Sequence, residues 1–261
     1  MLQKRVHHPS TSSLCALSFS SSSLGVSNQH SSATKSIPMQ PLVICGPSGV
    51  GKGTIISRFM EENNSSDTSL PKFVFSVSHT TRQPRAGEVD GVHYHFCSKE
   101  FMQDKIDEGD FFIEHAHVHG NMYGTSFQSI FDASSSDGNK QCLLDIDVEG
   151  VKSIKSYQDA QQRRRQFYNN SSSSQRTPPQ HLPELQAKFI FIAPPSIESL
   201  HERLLGRGSE TPESLQRRFQ NAKTEIDYGA TPGNFDAIIV NDNLERACLE
   251  FAETVRDIYS S

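Results

Sequence analysis

The stretch Gly46-Pro47-Ser48-Gly49-Val50-Gly51-Lys52-Gly53-Thr54 decides the fold of this chain. It follows the apolar run Leu42-Val43-Ile44-Cys45 and precedes a helical pattern over residues 52–62. A strand, a glycine-rich turn and a helix in this order form the context of a P-loop. Glycines let backbone N–H groups wrap around phosphate, the helix dipole favours the anion, and the lysine adds a positive charge. Residues 46–54 are therefore predicted to bind the phosphates of a nucleotide.

The end of this motif departs from the strict P-loop pattern. Gly53 stands where the pattern has a serine or threonine that binds Mg²⁺ directly. Thr54, one residue later, could contact the α-phosphate instead. The motif thus predicts nucleotide binding and leaves the metal contact open.

Four further apolar runs predict the rest of a core sheet. They lie at residues 73–77, 142–146, 189–192 and 237–240, with a helix expected near 148–156. Continuous apolar runs are typical of strands that are covered on both faces. Strands that alternate with helices favour an α/β fold with a parallel sheet. We expect five parallel strands in a core formed by residues 41–78 and 139–261.

The segment 79–138 has a different character, with many His, Tyr, Gly and charged residues. Short alternating stretches such as Val92-His93-Tyr94-His95-Phe96 are typical of half-exposed strands. It is predicted to be a smaller mixed α/β domain inserted between two core strands.

Two polar stretches are expected to lie outside the core. Residues 1–40 contain twelve serines and no Asp or Glu, a composition typical of organelle transit peptides, although a plain disordered extension is the alternative. The first reading predicts a mitochondrial or plastid protein, the second a cytoplasmic one. Residues 158–187 are low-complexity and predict a flexible, solvated loop.

Composition excludes several other classes. A net charge of −5 argues against general nucleic-acid binding. No run approaches the roughly 18 apolar residues of a membrane span, and the five cysteines are scattered without a C-x-x-C pair. We expect a monomer without disulfides in a reducing compartment.

Four longer stretches, together with the P-loop, resemble guanylate kinases over about 41–157 and 188–260. They are SVSHTTRQPRAGEVDGVHYHF (76–96), FFIEHAHVHGNMYGTS (111–126), LLDIDVEGVKSI (143–154) and FIAPPSIESLHERLLGRGSETPESLQRR (191–218). The Lys-Gly-Thr ending is similar to that of adenylate kinases and plant-type guanylate kinases. The resemblance implies a P-loop core, a GMP-binding insert, a helical lid at 203–220, and Mg²⁺-dependent transfer of phosphate from ATP to GMP or dGMP.

The resemblance also implies a set of GMP-binding residues. Those around the phosphate are Ser78, Arg82, Arg85, Tyr94 and Tyr123; those at the base are Glu114 and Thr125, with Asp147 nearby. Glu88 is expected to steady the arginine pair, and Asp145 to hold Mg²⁺ through water beside the GMP site. Ordinary capping at a strand end is the alternative for Asp145 and Asp147.

The chemistry of these residue types agrees with GMP. Arg82 and Arg85 are three residues apart in a turn, so their guanidinium groups can converge on one phosphate. A carboxylate at position 114 can accept hydrogen bonds from guanine N1–H and N2–H₂. Adenine offers neither donor and would leave the carboxylate unpaired.

Three arginines are predicted to form the lid. Ser196 can cap a helix that ends near Gly206, which places Arg203 and Arg207 one turn apart. A second helix is expected to start at Thr211-Pro212 and to bring Arg218 into range. The resemblance implies that they close over the triphosphate and act in catalysis with Lys52 and Arg82.

Two other functions compete with the kinase. A guanylate-kinase-like protein-binding module is one, although such modules tend to have lost the P-loop; another nucleoside monophosphate kinase is the second, against which Glu114 argues. A zinc site at His115, His117 and His119 is disfavoured, because no cysteine or carboxylate cluster completes it.

Overall fold

The structure is a computed structural model that describes residues 39–65, 70–118, 120–135, 139–170, 184–205 and 212–260. The N-terminal stretch 1–38, His119 and Arg207 lie outside these residues. In chain order the elements are β1 (Leu42–Cys45), α1 (Lys52–Ser65), β2 (Lys72–Phe75), β3 (His79–Thr80), β4 (His95–Phe96), α2 (Lys99–Glu108), β5 (Phe112–Val118), β6 (Asn121–Ser126), α3 (Phe127–Ala133), β7 (Lys140–Asp145), α4 (Val148–Asn170), β8 (Lys188–Ala193), α5 (Ile197–Leu205), α6 (Pro212–Ala230), β9 (Ala237–Val240) and α7 (Leu244–Tyr259).

Five strands form the parallel core sheet in the order β2-β7-β1-β8-β9, which confirms the predicted α/β fold. Strand β1 lies at the centre, with Ile44 opposite Asp145 of β7 and Cys45 opposite Phe191 of β8. The carboxyl ends of these strands therefore meet at the P-loop. Ligands of open α/β sheets bind at this edge.

Apolar helices cover both faces of the sheet, as the continuous apolar runs predict. On one face, Phe59 of α1 packs edge-on against Phe251 of α7, with ring centroids 5.1 Å apart. On the other, Val151 and Ile154 of α4 are fully buried with Ile130 of α3. Burial of each such side chain contributes about 1.5–3 kcal/mol to the stability of the fold, so the sheet that carries the P-loop is well packed on both faces.

A second sheet has the mixed order β4-β3-β6-β5 and lies within the predicted insert. Strand β3 pairs parallel to β4, whereas β6 pairs antiparallel to β3 and β5. Helix α2, capped by Ser98 through its bond from Phe101 N, covers the sheet with the fully buried Met102. Met102 forms a small separate core with Phe112 and Met122.

The prediction of a flexible, solvated loop over residues 158–187 is wrong at its beginning and at its end, where Leu185 and Ala187 are buried in the core. Helix α4 continues to Asn170, well past the expected end near residue 156. Gln and Arg in this stretch are good helix formers, and two contacts hold it. Gln161 Oε1 accepts from Leu185 N over 3.2 Å, and Arg165 pairs with Glu184. Residues 171–183 lie outside the described part of the chain.

Candidate functional site

The P-loop joins β1 to α1 in a conformation that requires glycine. Gly46 has φ 149° and Gly51 has φ 102°, values that L side chains rarely adopt. A Cβ on Gly46 would lie 2.3 Å from Ile192 O, and one on Gly51 would lie 2.5 Å from Asn241 Nδ2. The two glycines thus allow the loop to pass directly against the ends of β8 and β9.

Lys52 lies over the loop that precedes it. Its Nζ donates to Gly46 O over 2.6 Å and lies 3.8 Å from Asp145 Oδ1. Burial raises the pKa of the Asp145 carboxyl, and the Lys52 charge opposes this. Because β7 neighbours β1, the last residue of β7 faces the first residue of α1. A cation and a carboxylate therefore stand together at the phosphate loop.

Asn241, which the sequence analysis missed, holds the loop from behind. It is buried, and its Nδ2 donates to Val50 O over 2.7 Å. Its backbone oxygen accepts from Arg203 Nη2 over 2.9 Å, while Arg203 Nη1 donates to Val50 O over 3.3 Å. The signal that could have revealed it is a polar residue directly after the apolar strand β9.

Of the three predicted lid arginines, two are described and both reach the P-loop. Arg203 lies on α5, which begins after the Ser196 cap as predicted: Ser199 N donates to Ser196 Oγ over 3.1 Å. Arg218 lies on α6, and its Nη1 donates to Ser48 Oγ over 3.4 Å. Helix α6 begins at Pro212, as expected.

Arg82 and Glu88 form a fork-to-fork ion pair in the inserted segment 79–138. Arg82 Nη1 and Nη2 donate to Glu88 Oε2 and Oε1 over 3.0 and 2.9 Å, and Arg85 N donates to Oε2 over 2.6 Å. These bonds lower the pKa of Glu88 to about 2. The Arg82 guanidinium also lies 5.3 Å from the Tyr94 ring centroid and hydrogen-bonds Tyr123. Four of the predicted phosphate-binding residues are thus neighbours.

Glu114, on β5 of the second sheet, is buried, with 6% of its surface exposed. It faces Thr125 across the β5–β6 pair and hydrogen-bonds it, and Thr125 Oγ1 lies 3.4 Å from Ser78 Oγ. Burial, and secondarily the charge of Asp147, raises the pKa of Glu114 to about 7. Two residues predicted for the base, Glu114 and Thr125, and one predicted for the phosphate, Ser78, therefore lie together.

Asp147 lies near Glu114 and also caps the first turn of α4. Its Oδ1 accepts from Gly150 N over 2.9 Å in the first turn of α4. This bond caps the start of helix α4 and differs from the capping at a strand end that is the alternative for the two aspartates. Asp145, by contrast, lies at the end of β7 beside Lys52.

A cavity of about 360 Å³ opens between the two sheets. The core contributes Phe75–Ser78 and Leu143–Ile146, which include Asp145, and the inserted segment 79–138 contributes Val92, His93 and Tyr94. Tyr94 from the insert and Asp145 from the core, two predicted site residues, thus line one space, together with Ser78. Elsewhere in the described chain, no group of three or more His, Cys, Asp or Glu has a metal-binding arrangement, and His115 and His117 are exposed.

Glu225 of α6 is a second residue that the sequence analysis missed. It is half-buried, and burial raises its pKa to about 7 while the Lys52 charge lowers it. A charged residue in the middle of an amphipathic helix is usually on a solvated face. The sequence around Glu225 therefore gave no indication that this side chain lies near Lys52 of the P-loop.

A glycine-rich loop on a five-stranded parallel sheet, with a lysine over it and arginines reaching it, defines a P-loop nucleotide-binding protein. The family model for guanylate kinase matches residues 38–168 and 179–258. The chain belongs to the guanylate kinase family. In the part of the chain that the structure describes, no helix is long and apolar enough to cross a membrane.

Several similar proteins are named guanylate kinase. Guanylate kinase of Schizosaccharomyces pombe is 40% identical over 222 residues, which cover 85% of this chain and 93% of that protein. Guanylate kinase 1 of Oryza sativa subsp. japonica is 46% identical over 211 residues, 81% of this chain. This chain covers less than half, 46%, of that rice protein and 44% of its counterpart from Arabidopsis thaliana. The crystal structure of guanylate kinase from Anaplasma phagocytophilum superposes with a TM-score of 0.54 at 25% identity, covering 86% of this chain and 88% of that one.

Proposed function

We propose that this chain transfers the γ-phosphoryl group of ATP to the phosphate of GMP or dGMP, forming ADP and GDP or dGDP. The observation that carries the proposal is the buried Glu114 carboxylate, hydrogen-bonded to Thr125, in a protein that also has an intact P-loop. A binding module has no need of Lys52 over a phosphate loop. A kinase for another nucleotide has no need of a buried carboxylate at the base.

Selection of guanine rests on hydrogen-bond matching. Guanine presents two donors, N1–H and N2–H₂, to the Glu114 carboxylate, while Thr125 offers a hydroxyl group beside it. Adenine presents an unprotonated N1 and no 2-amino group. The buried Glu114 carboxylate, a hydrogen-bond acceptor, would then face adenine N1, which is also an acceptor. Such an unpaired charge costs more than about 1–3 kcal/mol.

The GMP phosphate is held by Arg82 and Arg85, with Tyr94 and Tyr123 beside them. Glu88 supports this assignment because it fixes both the Arg82 fork and the Arg85 backbone. An ordered fork loses less freedom when it binds an anion bidentately. Asp147 lies on the base side, next to Glu114.

Phosphoryl transfer then needs positioning and charge neutralisation more than covalent chemistry. The GMP phosphate oxygen is already an anionic nucleophile, so no general base is required; it forms the new P–O bond as the bond to the ADP leaving oxygen breaks. Residues 46–54 bind the ATP phosphates. Lys52, Arg203, Arg207 and Arg218 neutralise the charge, and the segment 203–220 serves as the lid.

Mg²⁺ is expected to accompany ATP. The donors at the loop fit it, because Asp145 offers a carboxylate at the carboxyl end of β7 and Mg²⁺ prefers oxygen ligands and retains several waters. Asp145 would hold it through water. When bound, the ion supplies charge neutralisation between the ATP phosphates.

A coupled ADP-release assay with GMP, dGMP, AMP, CMP and UMP tests the proposal. We expect kcat/KM for GMP to exceed that for AMP on the order of 10³-fold or more. Comparable values for GMP and AMP would refute it. GMP binding by calorimetry without any transfer, in the presence of ATP and Mg²⁺, would identify a binding module instead.

We also propose that residues 1 to about 38 direct the chain to a mitochondrion or plastid. The support is their composition, rich in serine and free of Asp and Glu. A fluorescent protein fused behind residues 1–40 should enter an organelle, and kinetics of a chain that starts at Met39 should be unchanged. A fusion that stays diffuse in the cytoplasm would contradict the proposal.

A further inference from the structure

Gly150 lies in the first turn of α4, on the core side of the base-reading carboxylate. Its N–H is bonded to the Asp147 cap over 2.9 Å, so its backbone is fixed. A Cβ built on Gly150 would lie 3.1 Å from Glu114 Oε2 and 3.0 Å from Ile146 Cδ1. The absence of a side chain at this one position leaves the space that the Glu114 carboxylate occupies.

The carboxylate has little room to yield. Glu114 is only 6% exposed, and Thr125 hydrogen-bonds it. Contacts of 3.0–3.4 Å are tighter than those of most Cβ atoms, so a neighbour must move by a few tenths of an ångström. Ile146 Cβ, at 3.2 Å, is fixed by its backbone at the end of the core sheet. A methyl group at position 150 therefore displaces the carboxylate from its present position.

We infer that Gly150 is a specificity-determining positioning residue: it sets the depth at which Glu114 presents its carboxylate to guanine. The inference rests on the proposed function, which it deepens. Helix α4 of the core thus controls base selection, although Glu114 itself belongs to β5 of the second sheet. No substrate atom needs to touch Gly150 for this effect.

Helix propensity predicts that Gly150→Ala stabilises the fold, although the substitution is expected to weaken GMP binding. Alanine is the better helix former, and glycine is unfavourable inside a helix. Gly150→Ala should therefore keep or raise the Tm, unless the contact with Glu114 offsets the gain. A variant that folds as well as the wild type but binds GMP more weakly cannot owe its defect to unfolding.

The test compares Gly150→Ala with the wild type in GMP, IMP and ATP kinetics. IMP lacks the 2-amino group and so loses one of the two donors to Glu114. We expect KM for GMP to rise about ten-fold, since a sub-ångström misplacement at a site is costly, while KM for ATP stays within two-fold. The preference for GMP over IMP should fall by at least about three-fold.

Two control variants separate the Glu114 contact from other effects. Glu149→Ala places an alanine in the same helical turn at an exposed position and should leave all three KM values unchanged. Ile146→Val, combined with Gly150→Ala, removes Cδ1, the atom nearest the new methyl. If this pair restores wild-type KM for GMP, the effect passes through Ile146 and the inference is overturned.

A double-mutant cycle with Glu114→Ala completes the test. In that background Gly150→Ala should change kcat/KM for GMP by less than two-fold, because the atom it displaces is gone. Full additivity overturns the inference, as does unchanged GMP/IMP preference in Gly150→Ala alone. A wild-type chain that does not phosphorylate GMP refutes the proposed function; a ¹³C NMR titration of Glu114 in the wild type and in Gly150→Ala would then have to show different carboxyl pKa values for the Gly150 contact to stand.

Discussion

Glu88 holds Arg82 through both carboxylate oxygens, with Nη1 and Nη2 of the arginine donating over 3.0 and 2.9 Å. The same carboxylate accepts from Arg85 N over 2.6 Å. One acidic side chain therefore organises both arginines that are proposed to bind the GMP phosphate. The arrangement is partly shielded, since about 15% of the Arg82 side chain and 17% of the Glu88 side chain are exposed.

Glu88→Gln should weaken GMP binding without affecting ATP. The neutral amide keeps the shape but loses the charge and one of the two acceptor oxygens, so the Arg82 fork becomes less ordered. We expect KM for GMP to rise about five- to ten-fold, less than in Arg82→Ala. A lower KM in Glu88→Gln would instead show that Glu88 competes with the phosphate for Arg82.

Arg82→Ala and Arg85→Ala should each raise KM for GMP far more than KM for ATP. We expect their effects to be non-additive, because both guanidinium groups are proposed to share one anion. A double-mutant cycle on kcat/KM for GMP measures the coupling. Strict additivity would show that the two arginines act at separate places.

The sequence predicted the five core strands because each is a continuous apolar run bounded by turn residues. It also predicted the neighbours Arg82, Glu88, Tyr94 and Tyr123 as one set, although only through resemblance. Asn241 was missed although it is a polar residue directly after an apolar run, and Glu225 was missed because a lone charged residue within a helix has no periodic signal of its own. Their roles depend on the order β1-β8-β9 and on the packing of α6, which no local pattern specifies.

The end of α4 was missed for a related reason. Gln, Arg and Asn after residue 157 have the composition of a solvated loop, although Gln and Arg are also good helix formers. What holds the helix there includes Gln161 and Arg165 with Leu185 and Glu184, partners that are distant in sequence. Local pattern cannot show such contacts.

Lys52→Ala should abolish phosphoryl transfer while GMP affinity stays within about two-fold. Lys52 lies over the P-loop and beside Asp145, whereas the residues proposed for GMP lie on the second sheet and its loops. Calorimetry with GMP and with a non-hydrolysable ATP analogue separates the two affinities. Lys99→Ala, an exposed lysine on α2, is the control. A Lys52→Ala variant that lost GMP and ATP affinity equally would contradict separate nucleotide sites.

GMP binding should strengthen as pH rises from 6 to 8. Burial raises the pKa of Glu114 to about 7, so the carboxyl is mostly protonated at pH 6 and mostly ionised at pH 8. Only the ionised form accepts from both N1–H and N2–H₂. Calorimetric affinities for GMP across this range should depend on pH more steeply in the wild type than in Glu114→Gln, because the GMP phosphate titrates equally in both.

Glu225 is the control for that pH dependence, because its pKa is also raised to about 7 by burial. It is in electrostatic range of Lys52 and Asp147 and is not one of the residues proposed to bind the base, so Glu225→Gln should retain the wild-type pH dependence of GMP affinity. If Glu225→Gln flattened the profile and Glu114→Gln did not, the titrating group would be the one on α6.

Asn241→Ala should raise KM for ATP and destabilise the fold, while KM for GMP changes little. The substitution removes the Nδ2 donor that holds Val50 O over 2.7 Å inside the P-loop. Arg203 Nη1 remains on the same oxygen, but over a longer 3.3 Å. A buried acceptor that loses its best donor costs about 1–3 kcal/mol, and a loosened loop binds phosphate less well.

Asn243→Ala supplies the matched control, because Asn243 caps α7 through Arg246 N and its loss also costs about 1 kcal/mol. The two variants should thus show similar losses of stability in chemical denaturation, and Asn241→Ala should show in addition a rise in KM for ATP of about five-fold or more. Equal ATP kinetics in both variants would mean that Asn241 serves the fold alone.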